Sequence, residues 1–248
     1  MNSLSVITYN IWFDETHRET RLKTLIETIK ENKPDIICYQ EVSAIIYDKL
    51  RLLHDEYKYV YPKEMKHKYG CMIISKYEIK DIINIEYNKT NMFRNLIGIK
   101  IVLDNNNIII ATSHFESVFN KNTIKIKQYE QAKYILDELY KKDNDIIFCA
   151  DTNIMQNEEY YYFNDNQWLE TFNGNNTDNY TYDADYNIHL QKKNKAYKSR
   201  LDRIIYKSNS LIASEYKLLN KYDTDRMQPS DHFGIYVNFT ILNTDILI

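Results

Sequence analysis

Residues 145–153 read Asp-Ile-Ile-Phe-Cys-Ala-Asp-Thr-Asn, and no other stretch restricts the fold so closely. Ile146 to Ala150 form an unbroken apolar run, short and bulky, which predicts a strand buried on both faces. The strand ends on Asp151, Thr152 and Asn153, setting a carboxylate and an amide on a rigid support. Taken alone, Asp-Thr-Asn more simply marks an Asx-turn. Other buried-looking strands of this chain also end on unusual polar residues, and together these point to one site.

Residues 4–10 alternate and end in Thr8-Tyr9-Asn10. Residues 18–30 carry Leu22, Leu25, Ile26 and Ile29 at helical spacing, closed by Pro34. Residues 35–39 predict a second apolar strand, ending in Gln40-Glu41. If these strands are parallel neighbours, Asn10 and Glu41 share one sheet edge. A helix over 43–53 follows, with Ser43 as its N-cap. Strands are predicted over 57–61, 71–75, 79–87, 96–103 and 108–113, with a turn at 104–107. The last runs into Ser113-His114-Phe115-Glu116-Ser117, and residues 122–140 predict a long amphipathic helix. Beyond Asn153 the chain is polar, with a helical turn at 157–163, a short strand at 180–182 and a mobile loop at 184–198. A strand over 199–206 is interrupted by Asp202 and Arg203. Gln228-Pro229-Ser230-Asp231-His232 then precedes a closing strand at 234–240. Composition shifts nowhere, so residues 1–248 are expected to form a single domain.

With 248 residues and 44% apolar content, the chain can bury the core of a mixed α/β protein. Four glycines exclude a Gly-rich phosphate loop. A net charge of −3 argues against broad coating of duplex nucleic acid. The Lys121/Lys125/Lys127 cluster and that of Lys192, Lys193, Lys195, Lys198 and Arg200 read as solvated faces. Cys38, Cys71 and Cys149 lie in apolar segments outside any C-x-x-C pair, as expected of free buried thiols in a reducing compartment. No apolar run approaches the roughly 18 residues of a membrane span, and Met1 to Ser3 pass straight into the first strand without a leader pattern. The expectation is an intracellular protein of nucleus or cytoplasm.

The polar strand ends are Asn10, Glu41, His114, Asp151, Asn153, Asp202, Asp231 and His232. Carboxylates, amides and imidazoles without clustered Cys suit a hard cation such as Mg²⁺ better than structural zinc. They also match what phosphodiester hydrolysis needs: a carboxylate to activate water, and imidazoles and amides to stabilise added negative charge. Singly, each has a plainer role as a cap, a core histidine or a structural ion pair.

Thr8-Tyr9-Asn10, Gln40-Glu41-Val42, Ser113-His114-Phe115-Glu116-Ser117, Ala150-Asp151-Thr152-Asn153, Leu201-Asp202-Arg203 and Ser230-Asp231-His232 occur in the order of the endonuclease/exonuclease/phosphatase superfamily. The chain resembles its 5′-tyrosyl-DNA phosphodiesterase branch, with Met92-Phe93-Arg94-Asn95-Leu96 and Tyr180-Thr181-Tyr182-Asp183 adding to the likeness. The resemblance implies a DNase I-like four-layer α/β sandwich, two mainly antiparallel β-sheets face to face and flanked by helices. It implies Mg²⁺, or Mn²⁺ as a substitute, held by Glu41 with Asn10 and Asp231. Asp151 would activate water, Asn153 would hold that water or a phosphate oxygen, His114 and His232 would contact the phosphate, and Asp202 would orient His232. Ser117, Phe119, Tyr69, Tyr182, Leu201 and Arg203 are the expected substrate contacts. The implied substrate is a single-stranded or frayed 5′ end of DNA, or of RNA, carrying a tyrosyl or protein adduct, and the implied form is a monomer away from membranes. Val118-Phe119 replaces the branch's Thr-Arg, and Tyr182 and Leu201 replace its Trp and Phe, so the nucleic-acid wall differs. Another hydrolase of the same fold, or an inactive binding module, is the alternative.

Overall fold

The computed structural model describes residues 2–53, 55–117, 122–155, 168–172, 179–191, 197–223 and 225–242. Phe119 and the turn expected at 157–163 lie outside them. The strands are β1 (Ser3–Asn10), β2 (Ile36–Ser43), β3 (Tyr59–Tyr61), β4 (Tyr69–Ser75), β5 (Asp81–Glu86), β6 (Asn95–Leu103), β7 (Asn106–His114), β8 (Asp145–Asp151), β9 (Leu169–Glu170), β10 (Tyr182–Asp183), β11 (Lys198–Ser199), β12 (Asp202–Lys207), β13 (Leu211–Leu219) and β14 (Gly234–Ile241). The helices are α1 (Arg18–Asn32), α2 (Ala44–Leu53), α3 (Asn122–Tyr140) and the single turn α4 (Ile188–Gln191).

Two six-stranded sheets, ordered β13-β14-β1-β2-β4-β3 and β5-β6-β7-β8-β12-β9, make the body of the fold. Each contains one parallel pair, β1/β2 and β7/β8, and every other pairing within them is antiparallel. Each parallel pair is joined through a helix, as parallel strands require. The alternate residues of β1, β2, β7, β8 and β14 point between the sheets, where Val6, Cys38, Ile110, Ile147, Cys149 and Val237 form one buried cluster. On the outer face of the first sheet, Leu22, Leu25 and Ile29 of α1 and Ile46 and Leu50 of α2 cover Ile7, Tyr9 and Tyr39. Tyr129, Ala132 and Leu136 of α3 cover Ile109, Ile146 and Phe148 on the second. The result is the four-layer sandwich, with β8 buried on both faces as its apolar run requires. The three cysteines are free and buried, and no helix among the described residues is long and apolar enough to cross a membrane.

Two polar or steric devices set the sheets at the functional edge. Gln40 is fully buried, and its Nε2 donates to Thr8 Oγ1 (3.0 Å) and to Thr112 Oγ1 of the facing sheet (2.9 Å). Gly234 opens β14 against the Tyr9 ring, where an added Cβ would fall 2.6 Å from a ring carbon. Only glycine allows that approach, which fixes where the chain enters β14 two residues after His232.

Several local expectations are corrected. β2 continues past Tyr39 through a bulge to Ser43, because its pairing with β4 slips between Tyr39 and Val42. Ser43 therefore ends a strand and does not cap α2; its Oγ is buried without a hydrogen bond. The loop expected at 184–198 contains α4, whose Leu190 packs with Tyr182, Ala184 and Leu201. The edge strand β13 carries no continuous apolar run. It is held by its register with β14 and passes unnoticed by hydrophobic pattern.

Candidate active site

At one edge of the sandwich β1, β2, β7 and β8 end, and β4, β6, β12 and β14 begin. Register brings the chemistry together. His114 lies opposite Asp151 in the β7/β8 pair, and Asp151 lies opposite Asp202 in the β8/β12 pair. Residues in one row of a sheet project to the same face, so an imidazole and two carboxylates stand side by side.

Asp151 is the centre, 1% exposed. Its Oδ2 accepts from Asn10 Nδ2 of the facing sheet (2.8 Å) and its Oδ1 from the Asn153 backbone N–H (3.1 Å). His114 Nε2 lies 3.4 Å from Oδ2, and His232 Nε2 lies 3.9 Å from it. Burial, then the negative charge of Asp202, pushes the Asp151 carboxyl up to about 6, against the pull of His232 and Asn10. Asn10 is engaged at both ends of its amide, since Oδ1 accepts the Trp12 N–H (3.0 Å). It serves first as a brace for Asp151.

The two imidazoles are held differently. His232 Nδ1 donates to Asp202 Oδ2 (2.7 Å), which turns Nε2 toward Asp151. Burial alone would lower the His232 pKa, but Asp202, Asp151 and Asp231 outweigh it and hold the ring well above its ordinary value. His114 Nδ1 lies 2.9 Å from an Arg94 guanidinium nitrogen. The other guanidinium nitrogen lies 3.3 Å from Nε2. A guanidinium only donates, so the shorter contact makes Nδ1 the acceptor and leaves Nε2 to carry the proton toward Asp151 Oδ2, 3.4 Å away. Burial, then Arg94 and His232, keeps His114 well below its ordinary value and neutral.

Glu41 sits in the β2 bulge with φ of 60°, a left-handed backbone that a non-glycine residue adopts at a cost. One carboxylate oxygen accepts the Phe13 N–H (3.1 Å), and the other lies 3.9 Å from His114 Nε2. Burial, then Asp231, pushes its carboxyl up to about 7. Glu41, Asp231 and the Asn10 amide offer oxygen ligands only, and the charge of Asp231 bears on Glu41, which fits a hard divalent cation. Asp151, Asp202 and His232 also bring ligand atoms within 4.8 Å of one another. However, His232 Nδ1 is already occupied by Asp202, so that trio reads as a hydrogen-bonded relay.

Asn153 has φ of 49° and donates from Nδ2 to the Phe115 carbonyl (3.1 Å). Tyr182 meets the His232 ring edge-on at 5.1 Å, backed by buried Leu201, whose side chain supports that wall from behind. Tyr69 stacks on Phe13 (4.8 Å) and under the Arg94 guanidinium (5.3 Å) on the His114 side. Ser117 turns its hydroxyl to Met92 Sδ (3.4 Å). Arg203 is a correction. Adjacent residues of a strand face opposite ways, so while Asp202 enters the site Arg203 points out of it, 1% exposed in its side chain, and pairs with Glu170 (2.9 Å). Lys125 is a second correction: it is buried, and its Nζ donates to the Asn153 carbonyl (2.8 Å).

Three contributors leave little trace in the hydrophobic pattern, although Arg94 and Thr181 lie in segments that carry the family likeness. Arg94 precedes β6 and meets His114 only through the β6/β7 pairing. Thr181 Oγ1 accepts the backbone N–H groups of Leu201 and Asp202 (both 3.0 Å), fixing the start of β12. Buried Arg21 donates to the carbonyls of Ile11, Trp12, Asp14, Thr16 and Pro229, tying the loop after Asn10 to the loop before Asp231. A charged residue on the predicted apolar face of α1 is the one signal that points to it.

Comparison with known proteins agrees with this geometry. Residues 7–232 match the Endonuclease/Exonuclease/phosphatase family. Tyrosyl-DNA phosphodiesterase 2 of Xenopus laevis is 29% identical over 257 residues, covering 95% of this chain and 66% of that protein. The Homo sapiens protein of the same name is 27% identical, covering 96% and 68%. The chain thus spans about two thirds of the relatives it matches. Truncated Caenorhabditis elegans TDP2 superposes with a TM-score of 0.83 at 21% identity, covering 96% of this chain and 97% of that one. Danio rerio TDP2 complexed with single-strand DNA product gives 0.83 at 21% identity, covering 97% and 100%.

Proposed function

The chain belongs to the endonuclease/exonuclease/phosphatase family, and from that premise we propose that it is a metal-dependent phosphodiesterase acting on 5′-tyrosyl DNA. The reaction separates the phenol oxygen of a protein tyrosine from the 5′ phosphate of a DNA strand and leaves that phosphate behind. Relatives named tyrosyl-DNA phosphodiesterase 2 along nearly the whole chain support this reading. The observation that carries it is Asp151, buried with the Nε2 atoms of His114 and His232 at 3.4 and 3.9 Å from its Oδ2 and braced by Asn10.

Above about pH 6 Asp151 is a carboxylate and accepts a proton from the attacking water, with Asn10 and the Asn153 N–H fixing its two oxygens. His232 and His114 present Nε2–H to the phosphate oxygens, one as an imidazolium and one as a neutral donor oriented by Arg94. Glu41 and Asp231 would hold the divalent cation, Mg²⁺ or in its place Mn²⁺, with Asn10 left one lone pair for it. When bound, the cation neutralises phosphate charge and assists the leaving oxygen. A tyrosine phenol, with pKa of about 10, leaves with little help from an acid. Tyr182, buried against His232 and Tyr197, would stiffen the wall beside the terminal nucleotide. The protein acts in this reading as one catalytic domain and a monomer, on single-stranded or frayed 5′ ends in nucleus or cytoplasm.

The test uses oligonucleotides bearing 5′-phosphotyrosine, 3′-phosphotyrosine or an internal abasic site, with and without Mg²⁺. Rapid release of tyrosine from the 5′ substrate, dependent on metal, is expected. Equal rates on the abasic duplex would replace this function with that of a general repair nuclease.

A further inference from the structure

A cavity of about 370 Å³ opens next to the reacting centre, between residues 61–71 and the β5/β6 hairpin. Arg94 lines it and also touches His114 Nδ1, so the cavity and the site share that side chain as a wall. Its floor is apolar, formed by Tyr61, Met65, Tyr87 and Ile97. At its mouth Phe93 is 71% exposed and stacks on His67 at 4.9 Å, nearly parallel.

Phe93 is held outward by the bonds around it. Its φ of 55° is unfavourable for a bulky residue. Thr90 Oγ1 accepts the backbone N–H groups of Met92 (3.2 Å) and Arg94 (2.9 Å) on either side of it. That hydroxyl donates to Glu116 Oε2 (3.1 Å), and Glu116 Oε1 accepts the Asn91 N–H (2.9 Å). Glu116 is 1% exposed and is further held by Gln128. A buried carboxylate therefore presents an exposed aromatic ring at the mouth of the cavity.

Lys63 and Lys66 line the cavity together with Glu64 and Glu86. Mixed charge is unsuited to a nucleic-acid backbone, which calls for one sign of charge along a track. An apolar-floored pocket of this volume suits one or two amino-acid side chains. We propose that the cavity receives the polypeptide remnant of the adduct, with an apolar side chain next to the tyrosine seated between Met65 and Phe93. This rests on the tyrosyl reading of the site.

The experiment compares two oligonucleotides, one ending in a bare 5′-phosphotyrosine and the other in a capped Leu-Tyr-Leu peptide joined through the same phenol. Wild-type protein is expected to cleave the peptide substrate with a kcat/KM about tenfold higher. Met65→Trp, which fills the pocket, and Phe93→Ala, which removes its rim, should abolish that advantage while leaving the bare substrate unchanged. Bare and peptide substrates cleaved equally by wild type, or an advantage that survives both substitutions, would overturn the proposal with the tyrosyl reading intact. So would a Met65→Trp defect that grows with the number of nucleotides instead of with the peptide, which would make the cavity a nucleic-acid subsite. If wild type cleaves neither substrate, the tyrosyl reading falls and takes this inference with it.

Discussion

His114 and His232 face the same carboxylate from opposite sheets, yet the fold keeps one neutral and the other charged. His114 ends β7 with a guanidinium against its Nδ1, and His232 precedes β14 with a carboxylate against its Nδ1. Both are buried, so burial does not separate them. The sign of the neighbouring charge does: Arg94 adds to the effect of burial at His114, while three acids overcome it at His232. In the proposed reaction a phosphate entering between them would meet one positive charge and one neutral donor.

Removing the carboxylate that both rings share should break the comparison outright. Asp151→Asn should lower kcat by roughly 10³–10⁴ while leaving affinity for an uncleaved oligonucleotide nearly unchanged, as read by single-turnover kinetics and anisotropy. Loss of affinity with an undiminished rate per bound complex would make Asp151 a binding group instead.

Next in size, Asp202→Asn should make His232 behave more like His114. Without its nearest anion the imidazolium loses its proton at lower pH, so the alkaline fall of the pH–rate profile should move to lower pH. Activity should drop about 10–100-fold, as for other groups that orient a working imidazole. An unmoved alkaline limb would exclude His232 as the charged donor.

Arg94→Met tests the opposite ring. With the guanidinium gone, His114 should rise toward its ordinary value and protonate at higher pH, visible as a shifted histidine ring resonance in an NMR titration. About tenfold loss of activity is expected from the freed tautomer. A resonance that does not move would leave burial alone as the cause of its neutrality.

The smallest expected effect is the pH dependence of metal affinity at Glu41, the acid nearest His114 after Asp151 among the described residues. With its carboxyl near 7, Glu41 is mostly protonated at pH 6 and mostly ionised at pH 8. Mg²⁺ binding should therefore release about one proton at pH 6 and few at pH 8, and apparent affinity should rise about tenfold across that range. Calorimetry in buffers of different ionisation enthalpy reads this directly. Glu41→Gln should bind more weakly and lose the pH dependence.

Much of the site is legible in the sequence itself. A strand buried on both faces must be covered on both, and the apolar run of β8 delivers Asp151 to an edge whatever its neighbours are. Asn10 and His114 are legible for the same reason, since each ends a recognisable strand; Glu41 follows the apolar run of β2 but sits in its bulge, and Asp202, read as interrupting a strand over 199–206, opens β12. Lys125 and Arg203 are misread by pattern because a charged side chain is solvated by default. Only the fold buries one beneath Asn153 and turns the other outward to Glu170.

The local sequence thus determined which residues stand at strand ends, because hydrophobic period and chain direction are properties of short segments. Charge state and metal fit belong to the tertiary structure. Whether a histidine is neutral or charged depends on what the second sheet brings within 3 Å of it, and Arg94 and Asp202 reach His114 and His232 from 20 and 30 residues away. The strained turn at Glu41 is of the same kind, since a bulge exists only in the register between two strands.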